Sequence, residues 1–147
     1  MHAVRTTVAA AAALAVATAF RLPDALWAPI STLVVTQSKL GAALTISGQR
    51  LAGTALGASA AVLLATVLGS TMLAFALGVL GLGFVCAVLH LDYAAYRFAG
   101  ITLAIILLTT HPGPIWTFAA HRFLEVSLGI AIGLVMSAVW PEPARPK

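Results

Sequence analysis

The residues in this chain best placed to do chemistry are two arginines set in one repeated pattern. Gln49-Arg50-Leu51-Ala52-Gly53-Thr54-Ala55-Leu56-Gly57 is echoed 72 residues later by His121-Arg122-Phe123-Leu124-Glu125-Val126-Ser127-Leu128-Gly129. Each copy reads as an apolar helix opened by a guanidinium, in a chain where only 8% of residues are charged. A cation in apolar surroundings is costly and marks a functional path by default. The chemistry it would supply is attraction of an anion.

The neighbours of the arginines extend that reading. Glu125 follows Arg122 by three positions and His121 by four, so on a helix the three share a face. Glu125 then either neutralises Arg122 in a low-dielectric site or, with His121, accepts a proton coupled to transport. Ser31, Thr32, Thr36, Gln37, Gln49 and Thr54 could hydrogen-bond a carboxylate, although serine and threonine bond their own helix backbone equally well. Gln37 and Gln49 are bulky and polar enough to call for a cavity or an interface. Gly53-x-x-x-Gly57 and Gly129-x-x-x-Gly133 supply small residues four apart, which let helices approach closely, within the chain or across a dimer.

Other chemistries find no foothold. His2, His90 and His111 have no ligand spacing, so no metal site is expected. Cys86 is the one cysteine and packs as a small residue. There is no Gly-rich phosphate loop, H-E-x-x-H or G-x-S-x-G, so neither an enzyme nor a cofactor is expected. Asp92 suits a helix N-terminus, and Arg21 and Asp24 read as loop charges.

The elements that must position these residues follow from composition. At 61% hydrophobic residues and a mean hydropathy of +1.05, 147 residues cannot cover a water-facing surface. The surplus of eight Lys and Arg over four Asp and Glu is explained by membrane topology, not by nucleic acid. Six apolar stretches, 4–20, 26–38, 50–69, 71–90, 94–110 and 118–140, approach the roughly 20 residues a membrane helix needs. Turn chemistry separates them: Arg21-Leu22-Pro23-Asp24, Ser38-Lys39-Leu40-Gly41, Gly69-Ser70, His90-Leu91-Asp92-Tyr93 and His111-Pro112-Gly113-Pro114. Arg5, the alanine run and Ala17-Thr18-Ala19 also resemble a cleavable signal peptide; the six-helix reading keeps this segment as a membrane helix.

The expected architecture is all-α and integral to the membrane, a single domain over 1–147 with six transmembrane helices. An even count puts both termini on one side. Placing them in the cytoplasm leaves Arg5, Lys39, Arg50, Arg97, Arg145 and Lys147 inside against Arg21 and Arg122 outside, as the positive-inside bias requires. Trp27 and Trp116 then lie at the outer interface, and Tyr93, Tyr96 and Trp140 at the inner one. Three helices separate the two arginine motifs, so the halves, about 4–69 and 71–140, form inverted repeats. Ala28, Ile30, Ser31, Val34 and Val35 align weakly with Ala99, Ile101, Thr102, Ile105 and Ile106.

Trp27-x-Pro29-Ile30-Ser31, Val34-Val35-x-Gln37 and Gln49-Arg50-x-x-Gly53-Thr54-x-x-Gly57 resemble the fusaric acid resistance and aromatic acid exporter superfamily. Arg97-x-x-Gly100-Ile101-Thr102, Arg122-x-x-Glu125-x-x-x-Gly129 and Trp140-Pro141 resemble the closing motifs of the same membrane domain. The resemblance implies export of organic anions across the bacterial inner membrane: aromatic carboxylates, or dicarboxylates as in the related plant aluminium-activated malate transporters. It implies that Arg50 and Arg122 line the anion path, and carries over less directly to Arg97; Gln37, Gln49, Thr54, Ser31 and Trp27 are the further candidate substrate contacts. Many members carry a large cytoplasmic domain, and a six-helix block without one is expected to self-associate as a homodimer or higher homo-oligomer. A passive anion channel, or a scaffold or partner subunit without flux of its own, are the rival readings.

Overall fold

The computed structural model describes residues 2–36, 39–110 and 113–140. Its helices are α1 (His2–Ala19), α2 (Trp27–Thr36), α3 (Leu40–Leu68), α4 (Met72–Val88), α5 (Tyr93–Leu108) and α6 (Ile115–Val139). No strand occurs among the described residues.

Turn chemistry ends α1 and α4 near where the sequence predicts. α1 and α4 close in the same way: Arg21 (φ 52°) and His90 (φ 53°) take the left-handed conformation. Beyond them, Leu22 N–H donates to Ala17 O at 3.1 Å and Leu91 N–H to Cys86 O at 2.9 Å. This six-to-one bond after a left-handed residue is a Schellman stop, here made twice without glycine. α4 is started by Thr71, whose Oγ1 accepts the Ala74 N–H at 3.2 Å.

One boundary differs in a way that matters. α3 begins at Leu40, ten residues before Arg50. Nothing between Leu40 and Gln49 breaks a helix: there is no proline, and Gly41 and Gly48 face open space. Ala43 N–H already closes on Lys39 O at 2.7 Å. Arg50 therefore stands about 15 Å along α3 at 1.5 Å per residue, not at its head, and Arg122 about 10 Å along α6.

Lengths also separate the helices. α3 and α6, of 29 and 25 residues, are long and apolar enough to cross a membrane, and α1, α2, α4 and α5 are shorter apolar helices. α2, with ten residues, reaches about 15 Å, half of a typical hydrocarbon core.

The chain divides into two compact units, one of residues up to 47 with those from 124 onward, the other of 48–123. In the first, Ala13 and Ala17 of α1 pack on Ala28 of α2, with Leu128 and Ile132 of α6 against them. In the second, Ala58 and Ala61 of α3, Ala74 and Leu82 of α4, and Ala99, Leu103 and Ile106 of α5 form the core. The interiors are built largely from alanine, while Leu63, Val67, Leu73, Leu80 and Phe84 stand exposed. Large apolar side chains outside and small ones inside is the pattern of helices packed closely in lipid.

Candidate functional site

In the 48–123 unit the first arginine motif forms one side of the α3–α5 contact. Gly53 lies against α5 so closely that an added Cβ would come within 2.8 Å of Phe98 Cβ and 3.0 Å of Ala99 N. One turn on, a Cβ at Gly57 would meet Ala99 Cα and C at 3.0 Å. One turn back, the Arg50 guanidinium lies over the Phe98 ring, 4.9 Å from its centroid. Beside it Gln49 Nε2 donates to the Asp92 carboxylate at the N-cap of α5. Gln49 beside Asp92, Gly53 against the Ala95 carbonyl oxygen and Gly57 against Ala99 advance together, so α3 and α5 run parallel. Arg50 and Thr54 are both buried.

The other unit repeats this arrangement with different chemistry. A Cβ at Gly129 of α6 would approach Ser31 Cβ to 2.7 Å and Ala28 C to 3.0 Å, and one at Gly133 would meet Val35 Cβ at 3.1 Å. Thr32 Oγ1 bridges the helices by donating to Gly129 O at 2.8 Å. One turn before Gly129, Glu125 Oε1 accepts the Asp24 N–H, just ahead of α2, at 3.0 Å. α2 and α6 are thus parallel. The start of α2 lies level with the eleventh residue of α6, so this ten-residue helix covers only the later part of its neighbour.

The far end of α2 is held by Arg5. Its guanidinium is buried at 2% exposure and donates from Nη2 to Thr36 O at 2.7 Å and from Nη1 to Trp140 O at 2.9 Å. Those carbonyls end α2 and α6, where helix dipoles leave partial negative charge. The sequence places Arg5 among inner-face charges, and the structure gives it a buried fastening role. Arg5 shares a face with Ala9, Ala13 and Ala17 at four-residue spacing, all three with no exposure; within a continuous alanine run that face could not be picked out.

The predicted residues thus separate. Arg50, Gln49, Thr54, His121 and Arg122 belong to the 48–123 unit, and Trp27, Ser31 and Glu125 to the other. Ser31 Oγ donates to Trp27 O at 2.8 Å, the helix-backbone bond foreseen for such residues. Arg122 and Glu125 are buried, Trp27 and His121 partly so. Gln37 lies outside the described residues. A pocket of about 660 Å3 between α3 and α6 of the second unit is lined by Ala55, Ser59, Leu63, Ala119, Ala120 and Phe123; none of the predicted site residues lines it, and its walls are too apolar to hold an anion. No group of three or more metal-ligating side chains occurs among the described residues.

Phe98 was missed by the motif reading. A signal was present: the shift that aligns Ala28 with Ala99 also aligns Trp27 with Phe98, two aromatics.

The model of the fusaric acid resistance protein family matches residues 1–147. The chain belongs to this family. It is 36% identical over 149 residues to the protein named "Uncharacterized transporter YdhK" of Escherichia coli K12, and 33% identical over 152 residues to that of Salmonella typhimurium. Each alignment takes in 95% of this chain and 22% of the relative, so the chain spans about a fifth of the length of these curated relatives. No solved structure matches it. In this chain the Gln49-Arg50-x-x-Gly53-Thr54 block has a physical meaning: it lies in the α3–α5 contact and seats an arginine on an aromatic ring.

Proposed function

We propose that this domain forms the membrane-embedded path of an inner-membrane transporter that exports organic anions, aromatic carboxylates in particular. The observation that carries the reading is the burial of Arg50 and Arg122, 8% and 2% exposed, well inside the two helices long enough to span the bilayer. Holding a guanidinium there is expensive, and an anionic cargo gives that cost a use. The chain's likeness to proteins named as transporters supports the same class.

In this reading all six helices are membrane-inserted, in two inverted halves with both termini cytoplasmic. The matching contacts support the repeat: Gly57 on the Ala99 backbone corresponds to Gly129 on the Ala28 backbone, and both pairs are parallel. An odd number of crossings between the copies then inverts one half against the other. Arg50 and Arg122 serve the anion in turn, with Gln49, Thr54, Ser31, Trp27 and Gln37 as polar or aromatic neighbours. Since neither arginine heads its helix, attraction comes from the guanidinium itself and not from a helix dipole. The domain self-associates in the bilayer.

The test is anion flux in proteoliposomes holding purified protein, with gradients of benzoate, p-hydroxybenzoate and malate, for wild type, Arg50→Ala and Arg122→Ala. Flux of at least one anion that each substitution abolishes while the protein stays folded supports the reading. Absence of wild-type flux with every anion and pH gradient overturns it in favour of a scaffold or partner subunit. Flux that persists without the arginines shows that they are structural.

A further inference from the structure

We propose that Phe98 is a positioning residue for anion binding, fixing the direction in which Arg50 presents its guanidinium. The proposal rests on the anion-transport reading above and adds a residue to it.

Three observations on one patch carry it. The Arg50 guanidinium lies over the Phe98 ring at 4.9 Å from the centroid, within the range of a cation–π contact. Phe98 is itself held at its root, because α5 is drawn against Gly53 until Phe98 Cβ occupies the space where a Gly53 Cβ would stand, 2.8 Å away. Arg50 and Gly53 are one turn apart on α3, so the glycine that admits Phe98 also sets which side chain lies beneath the arginine. Arginine otherwise loses much rotamer freedom on being ordered, a cost that weakens whatever it binds. Seated on a ring whose position the backbone contact fixes, the guanidinium is pre-ordered before an anion arrives. The flanking Gln49 to Asp92 hydrogen bond holds the preceding residue of α3 to the same helix.

Phe98 bears no charge and acts through Arg50, so its removal alters how tightly the anion is held and leaves the turnover steps alone. The experiment measures initial benzoate flux against concentration in proteoliposomes for wild type, Phe98→Leu, Phe98→Met, Phe98→Tyr, Arg50→Lys and the Phe98→Leu/Arg50→Lys double variant. Loss of a partly desolvated cation–π contact corresponds to about a fivefold rise in KM, with maximal flux unchanged. Phe98→Leu and Phe98→Met both remove the π face, and either suffices if the other fails to accumulate. Phe98→Tyr keeps the face and restores the wild-type KM. In the double variant the KM rises above that of Arg50→Lys by less than Phe98→Leu raises it above wild type, because the two residues act through one contact.

A wild-type KM in Phe98→Leu or Phe98→Met, beside an impaired Arg50→Lys, overturns the positioning role and leaves the anion path standing. A fall in maximal flux without a change in KM also overturns it, since that is the mark of a packing residue. Lack of wild-type flux, or indifference to Arg50→Lys, removes the anion-path reading and this role with it.

Discussion

Replacing Gly57 by alanine should destabilise the protein, while the same replacement at Gly48, nine residues earlier on α3, should not. At Gly57 the new methyl would lie 3.0 Å from both Cα and C of Ala99 and closer still to its carbonyl oxygen. These are backbone atoms of α5, so no rotamer change relieves the clash and the helix itself must move. Overpacking of this kind costs about 1–3 kcal/mol. Alanine also returns about 1 kcal/mol of helix propensity, but that gain applies equally at Gly48, where a Cβ meets nothing within 4 Å. The difference between the two variants isolates the α3–α5 contact, at about 1–3 kcal/mol. Helicity followed by circular dichroism during denaturant titration in detergent micelles measures it, and Gly129→Ala, against Ala28 and Ser31, should track Gly57→Ala. If Gly57→Ala and Gly48→Ala unfold together, α5 does not press on this glycine and the account of the arginine motif as a packing motif is wrong.

Two further substitutions probe the other unit. Glu125→Ala strands the Asp24 N–H and should cost about 1–3 kcal/mol, whereas Glu125→Gln keeps an acceptor and should lose less than half of that; equal losses in thermal melts would show that charge, not the hydrogen bond, is what this position supplies. Arg5→Ala removes both bonds to the ends of α2 and α6 and should cost about 3 kcal/mol or more, with faster amide exchange at the last turns of both helices. Arg5→Lys, which offers a point charge in place of a fork, should recover only part of it, and full recovery would argue against the two-carbonyl geometry.

Most helix boundaries were legible because the apolar runs end at residues that stop a helix for local reasons. Arg21-Leu22-Pro23 and His90-Leu91-Asp92 are such stops, and both took the left-handed turn. The start of α3 was not legible, because Gly41, Thr45, Ser47 and Gly48 dilute the apolar signal without containing anything that breaks a helix. Hydropathy registers transfer to lipid, and helix continuation depends only on backbone bonding. The glycine pairs were read as packing motifs, yet sequence alone left open whether they met another copy or the same chain. The structure spends Gly53 and Gly57 on α5, and Gly129 and Gly133 on α2. The charged positions were the least legible: Arg5 counted toward topology by its sign alone, while its burial depended on which face of an alanine-rich helix turned inward.

Glu125 shows how the two copies of the pattern diverged around one packing problem. The 72-residue shift that pairs Arg50 with Arg122 and Gly57 with Gly129 pairs Gly53 with Glu125. In the first copy the partner helix α5 starts at Asp92, whose side chain makes no capping bond and instead accepts from Gln49 of α3, and the glycine lets the two backbones come close. In the second copy the partner is α2, a short helix that starts beside the middle of α6. Among the described residues it takes its acceptor from that neighbour, through Glu125 Oε1 on the Asp24 N–H. Leaving that partly buried N–H without its acceptor would cost about 1–3 kcal/mol. The carboxylate therefore lies within a turn of Arg122 for a reason that belongs to the fold. A proton could be taken up at Oε2 while Oε1 keeps this bond, so Glu125→Gln separates the two roles: if it retains both the fold and the coupling of flux to pH, the residue is a helix anchor and the proton pathway lies elsewhere.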